Sequence, residues 1–287
     1  MKFPKQLIDI LKLGNQYDKK SYLLNLFSDF DIREDKYGNI YVNRDFQTQK
    51  PYLCSHIDTV DEQPSSKKIL YDPVKNSLFA ERQGQPCNLG ADDGVGVYAC
   101  IKLFKESDIG LAFFLDEEKG CLGSKEADAN FINASYLIQL DRKGTNEIVF
   151  GTSWSKVASD DFVSDVSTIA DKYNYKSVDG GLTDVITLVD HKIVQVSACN
   201  ISCGYYKPHT SEEYILIDHM NKAISLTRSI LAKLKNYVYS YEFVSNYDER
   251  YLFDDYLQID IRYELQSLID SNLSNEEIID EVYNLIY

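Results

Sequence analysis

The sequence predicts an α/β fold, specifically a three-layer sandwich in which helices cover both faces of a mixed central β-sheet. Short apolar stretches typical of buried strands alternate along the chain with longer stretches whose apolar residues recur at helical spacing. Strands that alternate with helices form sheets of this kind. With 287 residues, of which 44% are hydrophobic, the chain can bury a substantial core. It contains no internal repeat and no low-complexity linker.

In the first part of the chain, the elements follow from periodicity and from turn residues. The predicted elements are helices at 4–13 and 20–28, a hairpin at 31–43, a strand at 52–54, a hairpin at 68–80, a helix at 93–105 and a strand at 110–115. Leu7, Ile10 and Leu11 share one face of the first helix. A Lys-Tyr-Gly-Asn segment supplies the turn of the first hairpin. Gly94 and Gly96 permit close backbone packing at the start of the third helix.

The second part of the chain continues the alternation. The predicted elements are a short helix at 125–131, strands at 136–140 and 146–150, helices at 157–172 and 183–190, a strand at 193–198 and a longer helix at 218–238. Several acidic residues and one histidine come directly after apolar stretches of this kind. In α/β sheets, functional groups gather at strand ends and in the adjoining loops. We therefore expect these polar residues to form a site.

The end of the chain differs from the rest in charge and composition. Residues 241–287 contain 12 acidic and only 2 basic residues, together with seven tyrosines. We therefore divide the chain into one domain, residues 1–239, and an acidic, tyrosine-rich extension, residues 240–287. Ser274 to Glu277 has the pattern of a helix capping box, and an apolar stripe at helical spacing follows it. This pattern predicts a helical extension that either packs on the domain or binds a partner.

The composition excludes several classes of partner. The net charge of −15 argues against nucleic acids and anionic membranes, since both are bound through basic patches. No apolar stretch is long enough to span a membrane, and the start of the chain has no signal-peptide pattern. The six cysteines stand at irregular positions, which is typical of reduced buried thiols, and we expect no separate zinc site at Cys199 and Cys203. These features predict a cytoplasmic protein.

Five short segments carry residue types that bind metal ions. They are Ser-His-Ile-Asp at 55–58, Gly-Ala-Asp-Asp-Gly at 90–94, Leu-Asp-Glu-Glu at 115–118, Gln-Leu-Asp-Arg at 139–142 and Lys-Pro-His-Thr at 207–210. A pair of zinc-type ions needs imidazole and carboxylate ligands, one carboxylate shared by both ions, and a free carboxylate that activates water. The five segments supply each of these parts, so the sequence predicts a two-metal hydrolase.

Each segment alone also has an ordinary explanation. A single histidine such as His56 is more often structural. The adjacent aspartates would cap a helix, the adjacent glutamates would be solvated surface charge, and Asp141 would simply end a strand. Only the combination favours a metal site over these explanations. His191 and His219 have no such motif around them, and we predict that neither binds metal and that His219 stands at a helix start.

The order of the motifs resembles that of the co-catalytic zinc exopeptidases. This clan includes zinc aminopeptidases, peptidase T-like tripeptidases and related carboxypeptidases and deacylases. The shared pattern is His-x-Asp, then Ala-Asp-Asp-Gly, then Glu-Glu with a following Gly-x-x-Gly-Ser, then Asp, then a late His-Thr, and it covers roughly residues 50–235. Each motif is common by itself, whereas five in this order are specific.

The resemblance implies a role for each residue of the motifs. The five metal ligands would be His56, Asp92, Glu118, Asp141 and His209. Asp92 would bridge the two ions, with His56 and Asp141 completing one site and Glu118 and His209 the other. Glu117 would be the general base, and Asp58 would hydrogen-bond His56 and orient it. The resemblance also implies a cis peptide bond between Asp92 and Asp93.

One feature departs from many members of the clan, which carry a separate lid and dimerisation domain between the metal-binding Asp and the final His. Here His209 follows Asp141 by only 68 positions, and this stretch already contains a predicted helix and the segment Gly180–Asp184. We therefore expect no lid domain. In this respect the chain resembles single-domain aminopeptidases, whereas the segment ending at Asp184 and the sequence around His209 resemble peptidase T.

The residues and the resemblance together predict an exopeptidase, either an aminopeptidase or a di/tripeptidase, that uses two divalent ions, zinc by preference, to hydrolyse small peptides. An N-acyl amino-acid deacylase would use the same site on a different amide bond. A non-catalytic scaffold that acts through its acidic extension is the third hypothesis, and the presence of Glu117 argues against it. Self-association through the extension would be the other interaction of the chain.

Overall fold

The computed structural model describes residues 4–61, 66–153 and 155–242. The predicted helix after Ser274, and nearly all of the extension at 240–287, lie outside the described residues. The predicted domain boundary at residue 239 therefore stays a prediction.

The described residues contain seven α-helices and thirteen strands. The helices are α1 (Lys5–Lys12), α2 (Gln16–Leu26), α3 (Ala91–Glu106), α4 (Leu122–Lys125), α5 (Asp160–Ala170), α6 (Asp184–Asp190) and α7 (Ile217–Leu234). The strands are β1 (Asp31–Glu34), β2 (Ile40–Asn43), β3 (Lys50–His56), β4 (Lys68–Asp72), β5 (Ser77–Arg82), β6 (Gln85–Cys87), β7 (Gly110–Phe114), β8 (Ala134–Arg142), β9 (Glu147–Val149), β10 (Lys176–Val178), β11 (Ala198–Ser202), β12 (Tyr205–Tyr206) and β13 (Tyr214–Leu216).

Eight of these strands form one mixed sheet in the order β1-β2-β7-β3-β8-β11-β9-β10. The centre of the sheet is parallel, because β3 pairs in parallel with β7 and β8, and β8 pairs in parallel with β11. Strand β2 pairs antiparallel with β1 and with β7, and β11 pairs antiparallel with β9. The carboxyl ends of the central parallel strands therefore meet at one edge of the sheet, as in other α/β folds.

Two apolar cores lie on opposite faces of this sheet, as alternation along β3 shows. Leu53 belongs to the core that contains α1, α2, α3, α5 and α7, whereas Tyr52 and Cys54 belong to the core under α6. Successive strand residues point to opposite faces, so one buried strand contributes side chains to both cores. The predicted α/β sandwich with a mixed central sheet covered by helices is confirmed.

A second, smaller sheet was not predicted. Its strands run in the order β12-β13-β5-β4, with β6 paired to β5, and all of its pairings are antiparallel. It joins the hairpin of β4 and β5 to a segment more than a hundred residues later in the chain. The strands β6, β12 and β13 have only two or three residues each, too few to show an alternating pattern.

Several element boundaries differ from the predictions. The strand expected at 193–198 lies at Ala198–Ser202, and the helix expected at 125–131 is instead α4 followed by a 3₁₀ turn at Ala129–Phe131. Helix α2 begins four residues earlier than expected because Asn15 caps it, accepting a hydrogen bond from the Asp18 amide. Helix α5 begins later than expected because Ser159 takes the same role. The long α7 ends at Leu234, before the expected residue 238.

The glycines at the start of α3 serve packing of two kinds. A Cβ at Gly96 would lie 2.2 Å from an Asp93 carboxylate oxygen, and one at Gly94 would lie 3.0 Å from Leu11 of α1. The close packing predicted at these glycines is present. The Asp93 side chain packs against Gly96, and helix α1 packs against Gly94.

Among the described residues, no helix combines the length and apolar character that crossing a membrane requires. All six cysteines are buried free thiols, and burial raises the pKa of Cys199 and Cys203. Neither thiol belongs to a group of metal-binding side chains in the described part of the chain.

Candidate metal centre

The site begins at the carboxyl end of β3, a strand buried along its whole length. His56 is the last residue of this strand, and its side chain is 1% exposed. Its Nδ1 lies 3.2 Å from Oδ1 of Asp58, two residues further on. The other oxygen of Asp58 accepts a hydrogen bond from the Glu118 amide at 2.9 Å. Asp58 thus turns Nε2 of His56 toward the acidic side chains and ties β3 to the loop after β7.

Asp92 stands in the first turn of α3 and connects two histidines. Its Oδ1 lies 3.1 Å from Nε2 of His56, and its Oδ2 lies 3.3 Å from Nε2 of His209. The peptide bond between Asp92 and Asp93 is cis, as the resemblance implied. Asp93 belongs to none of the metal-binding groups of the described residues and accepts hydrogen bonds from the Ser55 hydroxyl and the Gly96 amide. The two adjacent aspartates therefore have different roles.

Glu118 and His209 lie on the second side of Asp92. Oε2 of Glu118 lies 3.0 Å from Nε2 of His209, while Oε1 is buried without a hydrogen-bond partner. A buried carboxylate oxygen without a partner is costly, and a cation would satisfy it. The His209 side chain is 48% exposed, in contrast to His56, so the site is open on this side.

Asp141 completes the first side of the site from β8. Its Oδ1 lies 3.6 Å from Nε2 of His56 and accepts a hydrogen bond from the Tyr205 hydroxyl at 3.2 Å. Gln139, two residues earlier on the same strand, donates to Oδ2 of Asp141 at 3.1 Å. Asn200 on β11 holds the main chain of Asp141 by bonding both its N–H and its C=O. Two neighbours therefore hold the carboxylate of Asp141, and a third holds its main chain.

Glu117 and Asp184 approach the same site from the loop after β7 and from the start of α6. Glu117 is partly buried, and Oε1 lies 3.5 Å from the Cys121 thiol. Asp184 is fully buried, and Gln139 donates to its Oδ2 at 3.1 Å from the same amide nitrogen that contacts Asp141. Gln139 thereby links α6 to the residue pair on β8.

The close grouping of acidic side chains shifts the pKa values of the residues in the site. Burial, followed by the charge of Asp92, raises the pKa of Asp141 to about 8. Burial also raises the pKa of Glu117 well above its usual range, and Asp141 and Asp184 add to this effect. Hydrogen bonds to Asp92 and Glu118 raise the pKa of His209 to about 10. Carboxyl groups this close to one another ionise together only when cations lie among them.

The donor atoms fit divalent ions. Three groups of side chains each offer one donor per residue, with all donor atoms within 4.8 Å of one another. They are His56, Asp92 and Asp141; Asp92, Glu118 and His209; and His56, Glu117 and Glu118. Imidazole nitrogens and carboxylate oxygens are the ligands that zinc-type ions prefer. Asp92 is the residue shared by the first two groups.

The structure brings together all seven residues that the sequence singled out. His219 and His191 lie elsewhere, at the start of α7 and the end of α6, and neither belongs to a metal-binding group among the described residues. Sequence reasoning missed Gln139, Tyr205 and Glu213. Only the position of Gln139, two residues before Asp141 on one strand, gave a signal, because such residues share a face of the sheet.

Comparison with known proteins gives little sequence similarity and extensive structural similarity. No family model matches the chain. The uncharacterized protein YqjE of Bacillus subtilis is 36% identical over 121 residues. These residues make up 39% of this chain and only 31% of that relative, so the match covers less than a third of the relative's length.

Solved structures with a similar fold include several peptidases. The aminopeptidase PepT of Bacillus cereus superposes with a TM-score of 0.68 at 16% identity, over 80% of this chain and 97% of that one. This chain has the fold of these peptidases. A tripeptidase of Staphylococcus aureus gives 0.63 at 14% identity, over 80% of this chain and 97% of that one. An aminopeptidase of Desulfurococcus kamchatkensis gives 0.63 at 15% identity, over 80% and 95%. The predicted resemblance is confirmed at the level of the fold.

Proposed function

We propose that this protein is a two-metal exopeptidase that hydrolyses small peptides, as an aminopeptidase or a di/tripeptidase. One observation carries the proposal. The two oxygens of Asp92 face different histidines, His56 at 3.1 Å and His209 at 3.3 Å, and Asp92 belongs to two groups of metal-binding side chains, one with each histidine. A carboxylate shared by two neighbouring cation sites is the arrangement that two-metal hydrolases use.

The residues that would hold the ions are the five predicted ligands. His56, Asp92 and Asp141 would hold one ion, and Asp92, Glu118 and His209 the other. Divalent ions bound there would supply Lewis-acid activation of water and of the substrate carbonyl. The unpartnered oxygen of Glu118 and the short distances between acidic side chains support this assignment.

Glu117 is the general base of the proposed reaction. Its carboxylate oxygen lies within 4.8 Å of donor atoms of both His56 and Glu118, yet its nearest hydrogen-bonding neighbour is only a weakly donating thiol. The carboxylate is therefore free to take a proton from the attacking water and to pass it to the leaving amine. Asp58 holds Nδ1 of His56, which fixes the ring and leaves Nε2 to the metal.

The route of the substrate follows from the difference in burial between the two histidines. His209 is half-exposed, whereas His56 is buried under the sheet edge, so a peptide would enter from the side of His209. Between Asp141 and His209, the described residues form strands of the two sheets and the helices α5 and α6. This use of the segment supports the proposal that the chain lacks a lid domain.

Metal analysis and a substrate screen test the proposed function. We expect native mass spectrometry to find two divalent ions per chain, and we expect hydrolysis of dipeptides and tripeptides with a free amino terminus. Hydrolysis of N-acylated amino acids alone would support the deacylase instead. Two bound ions with no turnover of either substrate class would contradict enzymatic activity and support the scaffold. The native mass of the full chain in the same experiment tests self-association, which stays a prediction.

A further inference from the structure

Glu213 contacts the chain segment that carries the bridging residue Asp92. Glu213 is fully buried, directly before β13 and four residues after His209. One carboxylate oxygen accepts a hydrogen bond from the Gly90 amide at 2.7 Å, and the other accepts one from the Asp92 amide at 3.1 Å. Both oxygens of the side chain therefore act as acceptors for main-chain N–H groups of this segment.

Lys67 contacts the same segment from its other side. Its side chain is buried, and Nζ donates to the Leu89 carbonyl at 2.8 Å and to the Asn88 carbonyl at 3.5 Å. The carboxylate of Glu213 thus holds the N–H groups of this segment, and the ammonium of Lys67 holds its C=O groups. Gly90 between them has a φ of +71°, and a Cβ there would lie 3.2 Å from Nζ of Lys67.

The two charged residues come from parts of the chain that are far apart. Lys67 stands just before β4 and Glu213 just before β13, and both strands belong to the small second sheet. Burying a lone charge is costly, so each of these groups needs strong polar partners. Both find them in residues 88–92, where the main chain enters α3. The small sheet therefore fixes the entry to that helix.

We propose that Glu213 and Lys67 are positioning residues, which hold residues 88–92 so that the two oxygens of Asp92 face both metal sites at once. This inference rests on the proposed two-metal function. It also gives the small sheet a role, because β13 follows the segment that carries His209. Displacing residues 88–92 would turn Asp92 away from His56 and from His209 together. Loss of either positioning residue should therefore weaken both sites.

Metal affinity separates positioning from a purely structural role. Full-length protein would be stripped of metal and titrated with Zn²⁺ in competition with a chromophoric chelator, and the visible spectrum of bound Co²⁺ would report ligand geometry. We expect Glu213→Gln and Lys67→Met to lower the affinity for both ions at least tenfold and to change the Co²⁺ spectrum. The matched controls are Glu212→Gln and Lys68→Met, exposed neighbours with the same change of charge, and they should stay within twofold of wild type.

Two conservative variants keep the test decisive if the first pair folds poorly. Glu213→Asp keeps the charge but withdraws the carboxylate from the two amides, so we expect it to behave like Glu213→Gln. Lys67→Arg keeps both charge and reach and should stay near wild type. Variants that bind both ions with wild-type affinity, even with lower thermal stability, would overturn the positioning role alone. A wild-type protein that binds fewer than two ions would overturn the proposed function and this inference with it.

Discussion

Exchanging each of the adjacent glutamates for glutamine separates the base from the ligand. Glu117→Gln keeps the volume of the side chain and its contact with the Cys121 thiol, which lies at 3.5 Å. The amide cannot accept a proton from water. Because general-base catalysis contributes ~10²–10⁴-fold, the turnover number should fall by this factor, or about 2.7–5.4 kcal/mol of transition-state stabilisation. Metal content should stay at the wild-type value.

Glu118→Gln should instead lower the metal content. Oε2 of Glu118 lies 3.0 Å from Nε2 of His209, inside a group of metal-binding side chains, and Oε1 is buried without a partner. A neutral amide is a poorer ligand than a carboxylate, so this variant should lose the ion that His209 would share. The main-chain N–H of residue 118 would still donate to Asp58 in this variant, so we expect the fold to be kept.

The assay combines two measurements on each variant. Equilibrium dialysis followed by elemental analysis gives ions per chain, and single-turnover hydrolysis of a free-amine dipeptide gives the rate of the chemical step. Loss of metal from the Glu117 variant together with full metal in the Glu118 variant would reverse the two roles. Unchanged hydrolysis in both variants would refute the two-metal mechanism.

Three further predictions concern the ligands, the core and the ions. His209→Ala should bind one ion instead of two, and an unchanged stoichiometry by native mass spectrometry would refute its assignment as a ligand. Gly110→Ala should lose about 1–3 kcal/mol of unfolding free energy in urea through overpacking, because its Cβ would lie 2.3 Å from the buried ring of Tyr52, whereas Gly181→Ala, with open space around it, should be near neutral. Chelation should lower the melting temperature and Zn²⁺ should restore it, since ions at 100 times their Kd contribute about 2.7 kcal/mol; equal melting curves would exclude ions bound to the folded state.

The grouping of the candidate ligands could be predicted because most of them stand in short motifs beside elements with a clear local pattern, whereas the role of each one came from the resemblance. His56 ends a fully buried strand, and Asp141 lies near the end of another, so their positions follow from apolar stretches that the sequence displays. The parallel pairing of these two strands then brings the two side chains to one edge of the sheet. No knowledge of distant contacts was needed for this step beyond the fold class.

Other elements could not be placed because tertiary contacts override their local pattern. The apolar residues at 193–198 suggested a strand, but the strand is Ala198–Ser202, where pairing with β8 and β9 selects the register. Val196 forms only an isolated bridge with Ser240. Glu213 likewise looks like a surface residue in sequence, within a run of polar residues, and only its two hydrogen bonds to residues far along the chain reveal its place.

Two buried lysines, Lys19 and Lys67, hydrogen-bond main-chain carbonyls near the site and not the carboxylates of the candidate ligands. Lys19 is 2% exposed, and although burial lowers its pKa, the nearby charges of Asp58, Asp93 and Glu213 oppose that effect. Its Nζ donates to the main-chain carbonyl of Asp58, just as Nζ of Lys67 donates to main-chain carbonyls at the entry to α3. Both ammonium groups therefore bond to main-chain carbonyls, while the carboxylate oxygens of Asp92 and Glu118 face His209. A lysine placed among those oxygens would neutralise them and would compete with the ions that the proposed reaction requires.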